Sequence, residues 1–183
     1  MSSSPRANRG PGAALENRSA LIAAARVIFA DQGIDAPLSA VAREAGVGQG
    51  SLYRHFPTRN SLAVAVFQQN VDELEELAAR DGSSLGDILR VITAQAIVST
   101  AFFEMIRAER PDAEDEALRL RVTAIIEARL PLAREQGLAP AGVTTDDVLL
   151  AVAMLSGALA KAPRSERDQV AARAWSLLPF GPA

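Results

Sequence analysis

The sequence predicts an all-α fold from three observations. Apolar residues make up 49% of the 183 positions but aromatics only 4%, and the apolar set is dominated by Ala and Leu, which favour packed helices over sheets. Apolar residues recur three, four and seven positions apart along most of the chain. No strand-like alternation rises above that helical period, and no fixed-length repeat is present.

The elements follow in order. Over 15–32, Leu15, Ile22 and Phe29 stand seven apart with Leu21, Ala25 and Ile28 on the same face, and Gly33 follows as a C-terminal cap. A long helix is predicted there, behind a polar stretch, 1–14, read as a flexible arm. Leu38, Val41, Ala42 and Ala45 make a short apolar face ending at Gly46, with Pro37 where a first helical turn tolerates it. After Val47 and Gly48, residues 49–56 read as a second short helix, and Pro57-Thr58 opens a long one to about 79. Asp81-Gly82-Ser83 is a break. From Ser84 the pattern Leu85, Ile88, Leu89, Ile92, Ala96 runs on toward Phe102, Phe103 and Ile106 as two helices divided near Ser99-Thr100, ended by Pro111. Residues 112–136 carry acids in the first turn and Leu118, Val122, Ile125, Ile126 and Leu130 on one side, with a kink expected at Pro131. Thr145 is read as the cap of the next helix, with Asp146 and Asp147 in its first turn and Pro163 at its end. A last helix is predicted over 165–178.

Composition narrows the class. There is no apolar run near the roughly 18 residues a membrane span needs, and the polar start has no secretory pattern, so a soluble, cytoplasmic protein is expected. The chain has no Cys and one His, so disulfides, thiolate metal sites and a zinc centre are excluded, and no cofactor is implied. His55 has no carboxylate at a metal-ligand spacing and no nucleophile to activate, which argues against an enzyme. Net charge is −3, but it is unevenly spread. Residues 1–60 hold seven Arg against four acids, +3, and the remainder holds twelve basic against eighteen acidic residues, −6. A basic head on an acidic body suits a protein that meets phosphate at one end only.

The informative spacing lies in 38–56. Apolar Val41, small Ala42, Gly46 four residues on, Val47, and Leu52 ten after Ala42 are what two short helices crossing at about 90 to 120° require: a small contact residue and a turn residue that tolerates a left-handed backbone. Val47 and Leu52 would fill the space under the crossing. That leaves Gln49, Gly50, Ser51, Tyr53, Arg54 and His55 on the outward parts of the second helix, and almost all can donate to DNA. The run Gly46-Val47-Gly48-Gln49-Gly50 is not a dinucleotide fingerprint, because its third Gly comes too early and no strand precedes it.

Ala42-Arg43-Glu44-Ala45-Gly46-Val47-Gly48-Gln49-Gly50-Ser51-Leu52-Tyr53-Arg54-His55-Phe56 resembles the helix-turn-helix of TetR-family transcriptional regulators, over roughly residues 15–67. The resemblance implies a three-helix DNA-binding domain, 15–60, followed by a helical effector-binding and dimerisation domain, 61–183. Gln49 opens the recognition helix, where its amide suits the N6/N7 edge of adenine. Gly48 and Gly50 let the backbone come close to bases or phosphates, or simply make the turn, and Ser51 can bond to either. Tyr53 and His55 resemble the family's phosphate-contacting pair, Arg54 and Arg59 add charge beside them, and Arg43 of the preceding helix is a further candidate. Two positions depart from the family's usual pattern. Pro37 stands where a Ser or Thr often caps the helix and touches phosphate, and Ser61 stands where a Glu commonly completes a capping box, so the fourth helix is expected to fray at its start.

For the body, the resemblance implies a homodimer on a palindromic double-stranded DNA operator, released by a small, largely apolar effector. Val148, Val152, Leu155, Ser156 and Leu159, with Trp175 on the last helix, are the candidate dimer seam, the other reading of that stripe being intramolecular core. Phe67, Val71, Ile92, Gln95, Phe102, Phe103, Met105 and Ile126 are candidate pocket residues, with ordinary core as the other reading. A competing function uses the same head to bind a protein partner after loss of DNA binding, for which the missing hydroxyl at Pro37 leaves room.

Overall fold

The computed structural model describes residues 11–98 and 113–182. All regular structure among these residues is helical. The chain divides into two compact units between Val66 and Phe67.

In the first unit, α1 (Pro11–Gln32) packs on α2 (Leu38–Glu44) and α3 (Gln49–His55). The core draws Leu21, Ile22, Ala25, Ile28 and Phe29 from α1, Val41 and Ala42 from α2, Leu52 from α3, and Phe56. Two expectations for α1 are corrected. The helix begins at Pro11, inside the stretch read as an arm, because Pro is tolerated where no amide donor is needed. Leu15, on the predicted apolar face, is 70% exposed. The helical period identifies a face, but not how far along it the packing partners reach.

The turn between α2 and α3 follows from local hydrogen bonding. Gly46 sits at φ +64°; its N–H donates to Arg43 O at 3.1 Å, and the Val47 N–H donates to Ala42 O at 2.9 Å. This pair of bonds closes the end of α2 as a Schellman motif, which needs a left-handed residue after the cap. Val47 is only half-buried, so Leu52 and Phe56, more than Val47, fill the crossing.

The next helix, α4 (Arg59–Ala78), contains the boundary between the units. Its expected weak start is corrected. The Thr58 hydroxyl accepts from the Ser61 N–H at 3.0 Å, and the Ser61 hydroxyl accepts in return from the Thr58 N–H at 3.2 Å. A hydroxyl therefore closes the capping box without a carboxylate.

The second unit holds the rest of α4 with α5 (Leu85–Val98), α6 (Ala113–Glu135), α7 (Thr145–Lys161), a 3₁₀ turn (Arg164–Glu166) and α8 (Arg167–Ser176). α5 packs on α6, α7 and α8, and its Leu85, Ile88, Leu89, Ile92 and Ala96 are all buried. Ser84 and Asp87 form a capping box at its start. The Ser84 backbone and hydroxyl, then Arg90, hold the Asp87 carboxyl at about 2. α6 runs to Glu135 with Pro131 inside it. Thr144, not Thr145, caps α7, which puts Asp147 three residues on, the spacing from which a carboxylate reaches back to the cap amide, at 2.8 Å. α8 ends two residues short of the predicted 178 and begins two after the predicted 165, the 3₁₀ turn taking its first turn. Arg121 of α6 bridges Asp72 and Glu75 of α4, and Arg129 donates to Ala78 O at the end of that helix. Among the described residues no helix is long and apolar enough to cross a membrane.

Candidate nucleic-acid interface

The seven residues of α3 divide cleanly. Leu52, and Phe56 just after, point into the core, while Gln49, Gly50, Tyr53 and Arg54 are exposed. The exposed four are spaced 49–53 and 50–54, the i, i+4 relation that places side chains side by side on one helix face. Tyr53 keeps 53% of its surface, a large exposure for an aromatic ring. Ser51 and His55 are half-buried at the edges of this face, His55 lying 6.3 Å from the Phe56 ring, centroid to centroid. Arg43, in the last turn of α2, is exposed.

Gly48 and Gly50 are separated from Gly46 by their backbone. Gly48 caps α3 at φ −65°, ψ 143°, and Gly50 has no positive φ, so neither conformation demands glycine. A Cβ added at either would meet nothing within 4 Å. Turn geometry and internal packing therefore give no reason for glycine at 48 or 50, whereas Gly46 is required by its left-handed φ.

Two arginines behave in ways the local sequence does not indicate. The Arg18 guanidinium of α1 lies over the Phe56 ring, 5.3 Å from its centroid, which sets a positive charge beside the end of α3. No spacing rule links positions 18 and 56. Arg59 is half-buried, and one of its terminal nitrogens donates to both Ile34 O and Ala36 O.

The candidate seam and pocket residues sit differently from the expectation. Val148, Val152, Leu155, Ser156, Leu159 and Trp175 are buried within the second unit of a single chain, and the Ser156 hydroxyl donates back to Val152 O at 2.7 Å. They are core, the other reading of that stripe. The outward side of α7 carries Leu150 at 59% and Met154 at 61% exposure, with Ala153 and Ala158. Of the candidate pocket residues, Phe67, Val71, Ile92 and Ile126 are buried, and Gln95 donates to Asn70 O at 3.3 Å. Phe102, Phe103 and Met105 lie outside the described residues. A cleft of about 660 Å³ opens elsewhere in this unit, lined by Thr93, Ile97, Trp175 and Phe180 with Arg90 and Asp168, and, among the described residues, by none of the candidate pocket residues.

Comparison with known proteins agrees with this geometry. Residues 21–66 match the family described as bacterial regulatory proteins, tetR family. An HTH-type transcriptional regulator of Staphylococcus aureus (strain USA300) is 35% identical over 60 residues, 32% of each chain, so the match spans about a third of the length of the curated relatives. Over most of the chain, the structure is similar to a TetR transcriptional regulator from Streptomyces coelicolor, with TM-score 0.62 and 27% identity over 88% of this chain and 95% of that one. It is also similar to a TetR transcription regulatory protein from Mycobacterium vanbaalenii, with TM-score 0.57 and 27% identity over 86% and 96%. The helix-turn-helix of the first unit, residues 21–66, matches the tetR family of bacterial regulatory proteins, and the helical architecture that follows is similar to that of TetR regulators.

Proposed function

We propose that the protein is a sequence-specific DNA-binding transcriptional regulator that acts as a homodimer and is released from its operator by a small, largely apolar effector. The observation that carries the reading is the exposed polar face of α3, ending a turn whose backbone is pinned by Gly46. Gln49 reads a base edge, Gly50 lets the helix sit close, and Tyr53, Arg54 and His55 contact phosphates, with Arg43 and Ser51 beside them. Phosphate contacts orient the helix and carry no sequence information, so Gln49 is the specificity residue of the set.

A single short helix reads few base pairs, so selectivity calls for two half-sites and a dimer, with half-sites about 34 to 36 Å apart or a longer repeat of that spacing. The apolar outward face of α7, Leu150, Ala153, Met154 and Ala158, is the surface we assign to it, with the exposed Leu177 beyond α8. An effector that lowers DNA affinity a hundredfold must favour the DNA-free state by about 2.7 kcal/mol.

Selection of bound sequences from a random duplex pool at about 150 mM salt tests this reading. Recovery of a palindrome supports a dimeric regulator. No enrichment from an intact dimer would shift the head to recognition of a protein partner.

A further inference from the structure

We propose that Arg59 is a positioning residue of the DNA interface, clamping the start of α4 to the α1–α2 turn and leaving phosphate contact to its neighbours. Arg59 is the first residue of α4, yet its guanidinium turns inward, and both hydrogens of one terminal nitrogen go to the carbonyls of Ile34 and Ala36. Arg43 and Arg54, by contrast, are exposed.

The turn needs an outside donor for a reason visible in its sequence. Residues 33–37 join α1 to α2 and end in Pro37, the N-cap of α2, which makes no side-chain capping bond. Pro also has no N–H to offer. Within the turn the Ala36 N–H donates to Gly33 O at 3.2 Å, and Ala36 itself is buried. Carbonyls in such a place cost free energy unless a donor reaches them. A guanidinium supplies two charged N–H groups in fixed geometry, a stronger pairing than neutral donors give. The clamp thus satisfies carbonyls of the turn that leads into Pro37, and it ties α2, which sets the angle of α3, to the first residue of α4. The first unit and the start of α4 then move as one body.

The proposal rests on the DNA-binding reading for what the clamp serves, and the test separates the two. Hydrogen exchange of the amides at 35–42 is compared in wild type, Arg59→Ala and Arg59→Lys, with no DNA present. Both variants should exchange faster there, because Lys keeps the charge but not the fork; exchange equal to wild type in both overturns the clamp. Binding is then measured against salt at a temperature where each variant is fully folded by circular dichroism. The expected result is an affinity lower by about tenfold in both variants, with a log-log salt slope equal to wild type. A slope shallower by about 0.9 in Arg59→Ala, with Arg59→Lys near wild type, overturns the proposal, since that is the signature of one lost phosphate contact. Full recovery of affinity in folded protein overturns it as well, because the residue then serves stability alone. If wild type binds no duplex, the DNA reading fails while the exchange result still decides the clamp.

Discussion

Trp175 donates its indole N–H to the Thr93 hydroxyl at 2.9 Å, across 82 positions of sequence. The same hydroxyl donates to Leu89 O at 2.6 Å, so a buried donor and a buried acceptor are satisfied through one oxygen. Thr93→Val keeps the shape and leaves the indole N–H unpaired, a loss of about 1 to 3 kcal/mol. Thr93→Ser should recover part of it. Trp175 is the only tryptophan, so denaturant unfolding followed by its fluorescence reads the difference; a Val variant as stable as wild type would remove the bond from the list of stabilising contacts.

Gly46 should be irreplaceable for backbone reasons alone. Its φ of +64° is left-handed, and an added Cβ meets nothing within 4 Å, so Gly46→Ala costs about 1 to 2 kcal/mol through the backbone term, and Gly46→Val costs more. Gly50→Ala, in ordinary helical backbone, should leave the melting temperature unchanged or raise it, while lowering DNA affinity. Equal thermal melts for Gly46→Ala and Gly50→Ala would show that the turn does not depend on the left-handed residue.

Gln49→Ala should relax preference at one or two base pairs, by about 1 to 3 kcal/mol each for a bidentate contact. Tyr53→Phe should weaken all duplexes alike. Affinities for a set of single-base operator variants distinguish the two patterns; unchanged selectivity in the Gln49 variant would remove its reading role.

Met154 and Val152 are two residues apart on α7 and predict opposite outcomes. Met154 is exposed and Val152 buried. Met154→Glu should keep the folded helical signal and shift sedimentation toward monomer, with weaker operator binding. Val152→Ala should lower stability by about 1 to 3 kcal/mol with the oligomeric state kept. A fully dimeric Met154 variant would place the seam elsewhere.

The cap of α5 gives a pH dependence of known sign. Asp87 titrates at about 2 in the folded chain against an ordinary 3.8, so the unfolded chain takes the proton first as pH falls. The cap's contribution is complete above about pH 4 and is lost between about 4 and 2. Asp87→Asn should be less stable at neutral pH and should lose less on acidification; parallel melting curves across that window would contradict the assignment.

The helix-turn-helix was legible in the amino-acid sequence because its determinants are local. The Gly46 turn closes with bonds spanning three and five positions, and small Ala42 and apolar Leu52 sit at fixed offsets from it. The helices of the body that lie in the described residues were likewise marked by period, Gly and Pro, to within a few residues, while the helix expected between Thr100 and Pro111 lies outside them. Tertiary structure alone decided which apolar faces are covered within one chain. Period marks a face as apolar and says nothing of what lies against it, so Leu15 reads as core and is exposed, while the Val148 to Leu159 stripe reads as a seam and is interior. It alone also gave the long side chains their partners. Arg59, Arg18 and Trp175 reach groups 23 to 82 positions away, and a flexible or planar side chain of that length takes whichever acceptor or ring the packed helices bring within range.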